Sequence, residues 1–128
     1  MNSKTDRKFP AHRKLTQAEL MAEAKERFGD DWLTWAFECP RCGDIASFAD
    51  FKAAGAQASA CGQECLGRTL GALTKNGKYE GRGCNWAAYG LFHGPWEVVL
   101  PADDKHPERT VWSFPLADAP QAEIGAPA

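Results

Sequence analysis

No apolar run in this 128-residue chain approaches the roughly 18–20 residues that a membrane span needs. Its first fifteen residues also lack the apolar stretch of a signal peptide, so reduced thiols and a cytoplasmic location are expected. Positive charge is not in surplus. Fifteen Lys and Arg stand against 17 Asp and Glu, a net charge of −2, which argues against bulk attraction to nucleic acid. Catalytic motifs are missing as well. There is no His-Glu-x-x-His, and Pro40 lies inside the Cys-x-x-Cys pair rather than ahead of it, unlike the zinc deaminase pattern. Ser47, Ser59 and Ser113 sit in no nucleophile elbow, and Gly81-Arg82-Gly83-Cys84 lacks the Lys-Ser/Thr of a phosphate-binding loop. No internal repeat is present. These gaps point away from an enzyme.

What is present is sulfur in a recognisable arrangement. Cys39-Pro40-Arg41-Cys42-Gly43 offers two thiolates to one tetrahedral Zn²⁺, with Pro bending the turn and Gly letting backbone N–H groups aim at the sulfurs. The cysteines number five, so any disulfide scheme leaves one unpaired. A structural zinc needs two more ligands from Cys61, Cys65, Cys84, His93 and His106. Cys84, in the glycine turn Gly81-Arg82-Gly83-Cys84, fits a second knuckle. Spacing does not choose between Cys61 and Cys65. His93 precedes Gly94-Pro95 and His106 lies in a charged loop, and both read as solvated loop residues.

The rest of the chain reads as one domain with ragged ends. Residues 1–14 carry five basic groups and one acidic, and are expected to be a disordered basic arm. Thr16 with Glu19 forms a capping box, opening a helix whose apolar stripe is Leu20, Met21, Ala24 and Phe28 and whose end is Gly29. Residues 32–38 alternate as a strand delivering Cys39. Ser47 with Asp50 caps a short helix over residues 48–54. Glycines at 62, 67 and 71 disfavour helix over residues 63–70, so a strand is expected there, turning at Asn76-Gly77. Further strands are expected over 85–92, 96–100 and 110–116, with a disordered Ala/Pro-rich tail over 117–128. The domain proper is thus residues 15–116.

Arg68, Lys75, Lys78 and Arg82, with Tyr79 and Trp86 among them, make a basic cluster able to stack bases and neutralise phosphates. Five Trp exceed what so small a core needs. Trp32 falls on the face opposite Leu33, Trp35 and Phe37, which makes it a candidate protein-binding side chain.

The motifs Cys-Pro-Arg-Cys-Gly, Glu-Cys-Leu-Gly-Arg, Gly-Cys-Asn-Trp-Ala-Ala-Tyr-Gly-Leu-Phe and Trp-Glu-Val-Val resemble a group of small uncharacterised zinc-knuckle proteins encoded by bacteriophages and bacterial mobile elements. The resemblance covers roughly residues 37–116. It implies Cys39, Cys42, Cys65 and Cys84 as the recurring cysteines, with Cys61 extra and an alternative ligand.

The expected fold is α+β: a small antiparallel sheet of zinc-ribbon character with one capped N-terminal helix on it. The expected function is a non-enzymatic interaction module holding structural Zn²⁺ and binding a host protein in a bacterial cytoplasm, an anti-defence inhibitor such as an anti-CRISPR being its sharpest form. A nucleic-acid-binding zinc ribbon is the alternative, and a zinc or thiol enzyme a more distant one.

Overall fold

The computed structural model describes residues 11–72, 79–89 and 93–118. Lys75, Lys78 and the Asn76-Gly77 turn lie outside these, as do most of the expected arm and tail.

The chain opens on β1 (Arg13–Thr16) and passes directly into α1 (Gln17–Phe28). The Thr16 hydroxyl accepts from Glu19 N–H at 3.1 Å, and the Glu19 carboxylate accepts from Thr16 N–H at 2.8 Å. This reciprocal pair satisfies two of the orphan donors at the helix start. Gly29, at φ 97°, ends the helix and donates to Lys25 O at 2.8 Å. Trp32–Thr34 then forms a 3₁₀ turn, its Leu33 N–H capped by the Asp31 carboxylate. The expected long strand is therefore cut to β2 (Ala36–Glu38), which pairs antiparallel with β3 (Ile45–Ser47). The first knuckle is the turn of this hairpin. Next comes α2 (Phe48–Ala53), opened by a second capping box of Ser47 and Asp50.

Residues 66–70 correct the strand expectation. Leu66–Leu70 is a short helix, α3, closed by Gly71 at φ 118°. Helix propensity gave the wrong answer because Gly67 is not there for local conformation (see Discussion). Of the expected strand over 85–92, the described part contributes an isolated bridge, Glu64 to Ala87.

Two strands complete the fold, β4 (Trp96–Leu100) and β5 (Arg109–Ser113), paired antiparallel with Val98 opposite Val111. On its other side β4 takes β1 in parallel, Leu15 opposite Val98, so the three-stranded sheet is mixed, in the order β1-β4-β5. Arg13 and Lys14 therefore belong to the folded domain, not to a disordered arm. The far end needs a similar adjustment. Ala117 is fully buried, its N–H donating to Ala36 O at 2.9 Å while its carbonyl accepts from Arg27 at 2.9 Å.

The fold is α+β, as expected, and among the described residues α3 joins the two helices that the capping boxes predicted. Segment 114–117 runs along β2 through the Phe37–Leu116 bridge and the Glu38 N–H to Pro115 O bond, and so joins the two sheets. Between them lies the core of Leu15, Phe37, Phe51, Leu66, Val98 and Phe114, with Cys39 and Cys65 at its edge. Among the described residues no helix is long and apolar enough to cross a membrane.

Candidate metal centre

Three loops meet at the edge of this core. The first leaves β2 at Cys39. Cys39 N–H donates to Asp44 O at 2.9 Å and Gly43 N–H to Cys39 O at 2.8 Å, a tight turn that Gly43 closes at φ 84°. The turn aims Asp44 N–H at Cys42 Sγ, 3.5 Å away. Cys65, immediately ahead of α3, sits on the second loop, and Cys84 on the third. Cys84 N–H points at Cys65 Sγ (3.1 Å) and Trp86 N–H at Cys84 Sγ (3.4 Å). Backbone donors aimed at sulfur stabilise thiolate, the form that binds metal.

Cys39, Cys42, Cys65 and Cys84 have sulfurs that all lie within 4.8 Å of one another, and the group could hold a metal ion. The closest approaches are 3.8 Å between Cys39 and Cys84 and 3.6 Å between Cys42 and Cys65. A tetrahedral zinc with Zn–S bonds of about 2.3 Å sets its sulfurs about 3.8 Å apart, whereas a disulfide needs about 2.05 Å. The spacing suits a shared ion, and the donor set suits zinc. Cys39 and Cys65 are buried and Cys42 and Cys84 half-buried.

Proton affinities split across the cluster. Contact with Cys39, then with Cys65 and Cys84, holds the Cys42 thiol well below its ordinary range, and Asp44 N–H adds to this. Cys84 falls to about 7, first through Cys39. Cys39 is pushed up, first by Cys42. Cys65 is also raised: its largest interaction, with Cys39, lowers it, but Cys42, Cys84 and burial outweigh that. The four sulfurs thus form one electrostatic unit.

Cys61 lies outside this group. It follows the 3₁₀ turn Ala58–Ala60, is 7% exposed, and burial raises its thiol. Cys61→Ala is expected to keep the full metal content of the parent and to cost about 1 kcal/mol of packing, read from metal analysis and a urea midpoint. Loss of metal would move Cys61 into the ligand set. The histidines are elsewhere. His93 stacks on Trp112 with ring centroids 3.8 Å apart, and His106 is exposed in a loop organised by the Asp103 carboxylate.

The two described arginines of the basic cluster are engaged within the molecule. Arg68 donates to Asn85 O at 2.7 Å, and its Nε lies 3.6 Å from Glu64. Arg82 reaches two carboxylates, Asp44 and Asp50. Tyr79 OH donates to Arg82 O. Trp32 is 51% exposed and edge-on to Phe48 at 5.5 Å. It stands at the rim of a groove of about 640 Å³ lined by Leu20, Met21, Ala24, Trp35 and Phe48 among others. The acidic partners of Arg82 were not legible in the sequence, because no spacing rule links position 82 to positions 44 and 50.

Residues 16–114 match the family model described as VVA0879-like, and the chain belongs to this uncharacterised family. No curated protein and no solved structure matches the chain significantly.

Proposed function

We propose that the four sulfurs hold one structural Zn²⁺ and that the stapled domain is a non-enzymatic interaction module whose partner is another protein. The observation that carries the metal reading is the sulfur geometry. Four cysteines at zinc-like separation, three of them facing backbone N–H groups, fill every position of a tetrahedral site. A catalytic zinc keeps one position open for water, and this donor set leaves none. When bound, the ion supplies cross-linking rather than Lewis-acid chemistry.

Trp32 and Met21 support the partner reading. Both are about half exposed, beside an apolar groove between α1 and the Trp32–Thr34 turn. Exposed Trp at the rim of a pocket is the residue type that anchors protein interfaces. A bacterial host protein is the partner we put forward. The anti-defence form of this role rests on the resemblance to mobile-element proteins alone. Nucleic-acid binding is less well supported, since Arg68 and Arg82 already have internal partners.

Pull-downs from bacterial lysate with the zinc-loaded chain and with Trp32→Ala test this. The expected result is a protein captured by the parent and bound at least about 2 kcal/mol more weakly by the variant. Recovery of nucleic acid instead, with a gel shift that weakens steeply with salt, would favour the alternative.

A further inference from the structure

The loop bearing Cys84 is fastened to the loop bearing Cys39 and Cys42 by one side chain. Arg82 Nε donates to Asp44 Oδ1 at 2.8 Å. Its Nη2 donates to Ile45 O at 2.5 Å and to Asp50 Oδ2 at 3.2 Å. Each of these acceptors is already part of the site's framework. Asp44 is the residue whose N–H faces Cys42 Sγ and whose carbonyl holds Cys39 N–H. Ile45 begins β3, and Asp50 Oδ2 also accepts from Ser47 N–H at 2.9 Å, closing the cap of α2. The other Asp44 oxygen is buried without a hydrogen-bond partner among the described residues, so Arg82 is what compensates this carboxylate. One planar guanidinium thus spans the first knuckle, β3 and α2, while its own backbone lies two residues from Cys84.

We propose that Arg82 is the positioning residue of the metal centre: it locks the Cys84 loop against the Cys39–Cys42 knuckle and so sets how long the ion is retained. The proposal rests on the zinc reading above. Two physical effects act together. The fork fixes geometry that a single ammonium cannot, because two diverging N–H groups must meet acceptors on different elements. The positive charge also offsets Asp44 and Asp50 beside a site that carries a net −2 when four thiolates bind Zn²⁺. Removing either effect frees the Cys84 loop to open, and dissociation starts there.

The test uses the full chain loaded with zinc. Zinc release to an excess chromogenic chelator is timed for the parent, Arg82→Lys, Arg82→Met and Arg13→Met, with circular dichroism recording that each is folded at the start. Arg13 is the control, since it is forked onto Glu23, stacks over Trp96 and lies in no cysteine-bearing loop. Release at least about 10-fold faster is expected for both Arg82 variants, with Arg13→Met within about twofold of the parent. Arg82→Lys, which keeps the charge, carries the measurement if Arg82→Met does not fold. Cobalt-substituted Arg82→Lys is further expected to show an altered visible d–d spectrum, which a change in global stability alone does not produce. Parent-like release from Arg82→Lys, or equal acceleration by Arg13→Met, overturns the positioning role and leaves the zinc reading standing. A parent chain that binds no zinc overturns both.

Discussion

Stripping the ion with a strong chelator is expected to unfold the domain, with loss of tertiary signals and exposure of apolar surface. The four sulfurs come from three loops separated by 19 to 45 positions in sequence, and the largest fully buried side chains among the described residues are Phe51, Phe114 and Cys39. Cys39 itself is one of the proposed ligands, so core and metal site are the same structure. Apparent binding energies for structural zinc are about 10–16 kcal/mol at neutral pH, and a domain of this size has a net stability of about 5–15 kcal/mol. Losing the first term leaves the second near or below zero. Without the ion, thiolates at 3.6–3.8 Å also repel one another.

The sign with pH follows. Metal binding depresses the folded-state proton affinity of every ligand thiol, so the stabilisation is present at neutral and higher pH and is lost as pH falls and protons displace the ion. Metal analysis of the purified chain should return one equivalent of zinc. Near-ultraviolet circular dichroism should collapse on chelation and recover when zinc is added back. Cys39→Ser and Cys84→Ser are expected to be insoluble or metal-free. A chain that stays compact with its metal removed, or full metal retention in either variant, would count against the reading.

The second large effect is expected at a glycine. A Cβ on Gly67 would sit 2.4 Å from Cys84 O, 2.5 Å from Cys84 N and 2.8 Å from Gly83 C. All three are backbone atoms, so no rotamer change relieves the clash. The contact is reciprocal. A Cβ on Gly83, where φ is +77°, would lie 2.7 Å from Gly67 N and 2.9 Å from Cys65 Sγ. Two backbones touch here, one just after Cys65 and the other just before Cys84, and this approach brings their sulfurs to one point. Local preference and tertiary packing make opposite predictions for Gly67→Ala. Helix propensity predicts a gain of about 1 kcal/mol in α3. The clash predicts a loss of about 3 kcal/mol or more, because the loops must part. We expect the loss, with metal affinity falling alongside. Gly55→Ala is the comparison, since its φ of +86° is strained for alanine but nothing lies within 4 Å. It should cost about 1–2 kcal/mol and leave metal content intact. Equal urea midpoints for Gly67→Ala and the parent would remove the packing argument.

The amino-acid sequence by itself determined what is decided within a few residues. Thr16 with Glu19 and Ser47 with Asp50 cap α1 and α2 as their three-residue spacing requires. The alternation in residues 96–100 makes β4, and Cys39-Pro-Arg-Cys-Gly makes a tight turn after which the Asp44 N–H faces Cys42 Sγ. Tertiary structure decided the rest. It put Arg13 and Lys14 into a parallel strand beside β4, where Arg13 covers Trp96. It made a helix of Leu66–Leu70, because Gly67 serves the approach of Cys84 rather than local flexibility. It set Cys65 among the four sulfurs and left Cys61 in the core, and it turned Arg82 inward to Asp44 and Asp50. The physical reason is common to all of these. Hydrogen bonds across three residues follow from the backbone's own geometry, whereas contacts between groups far apart in sequence exist only once the whole chain has packed.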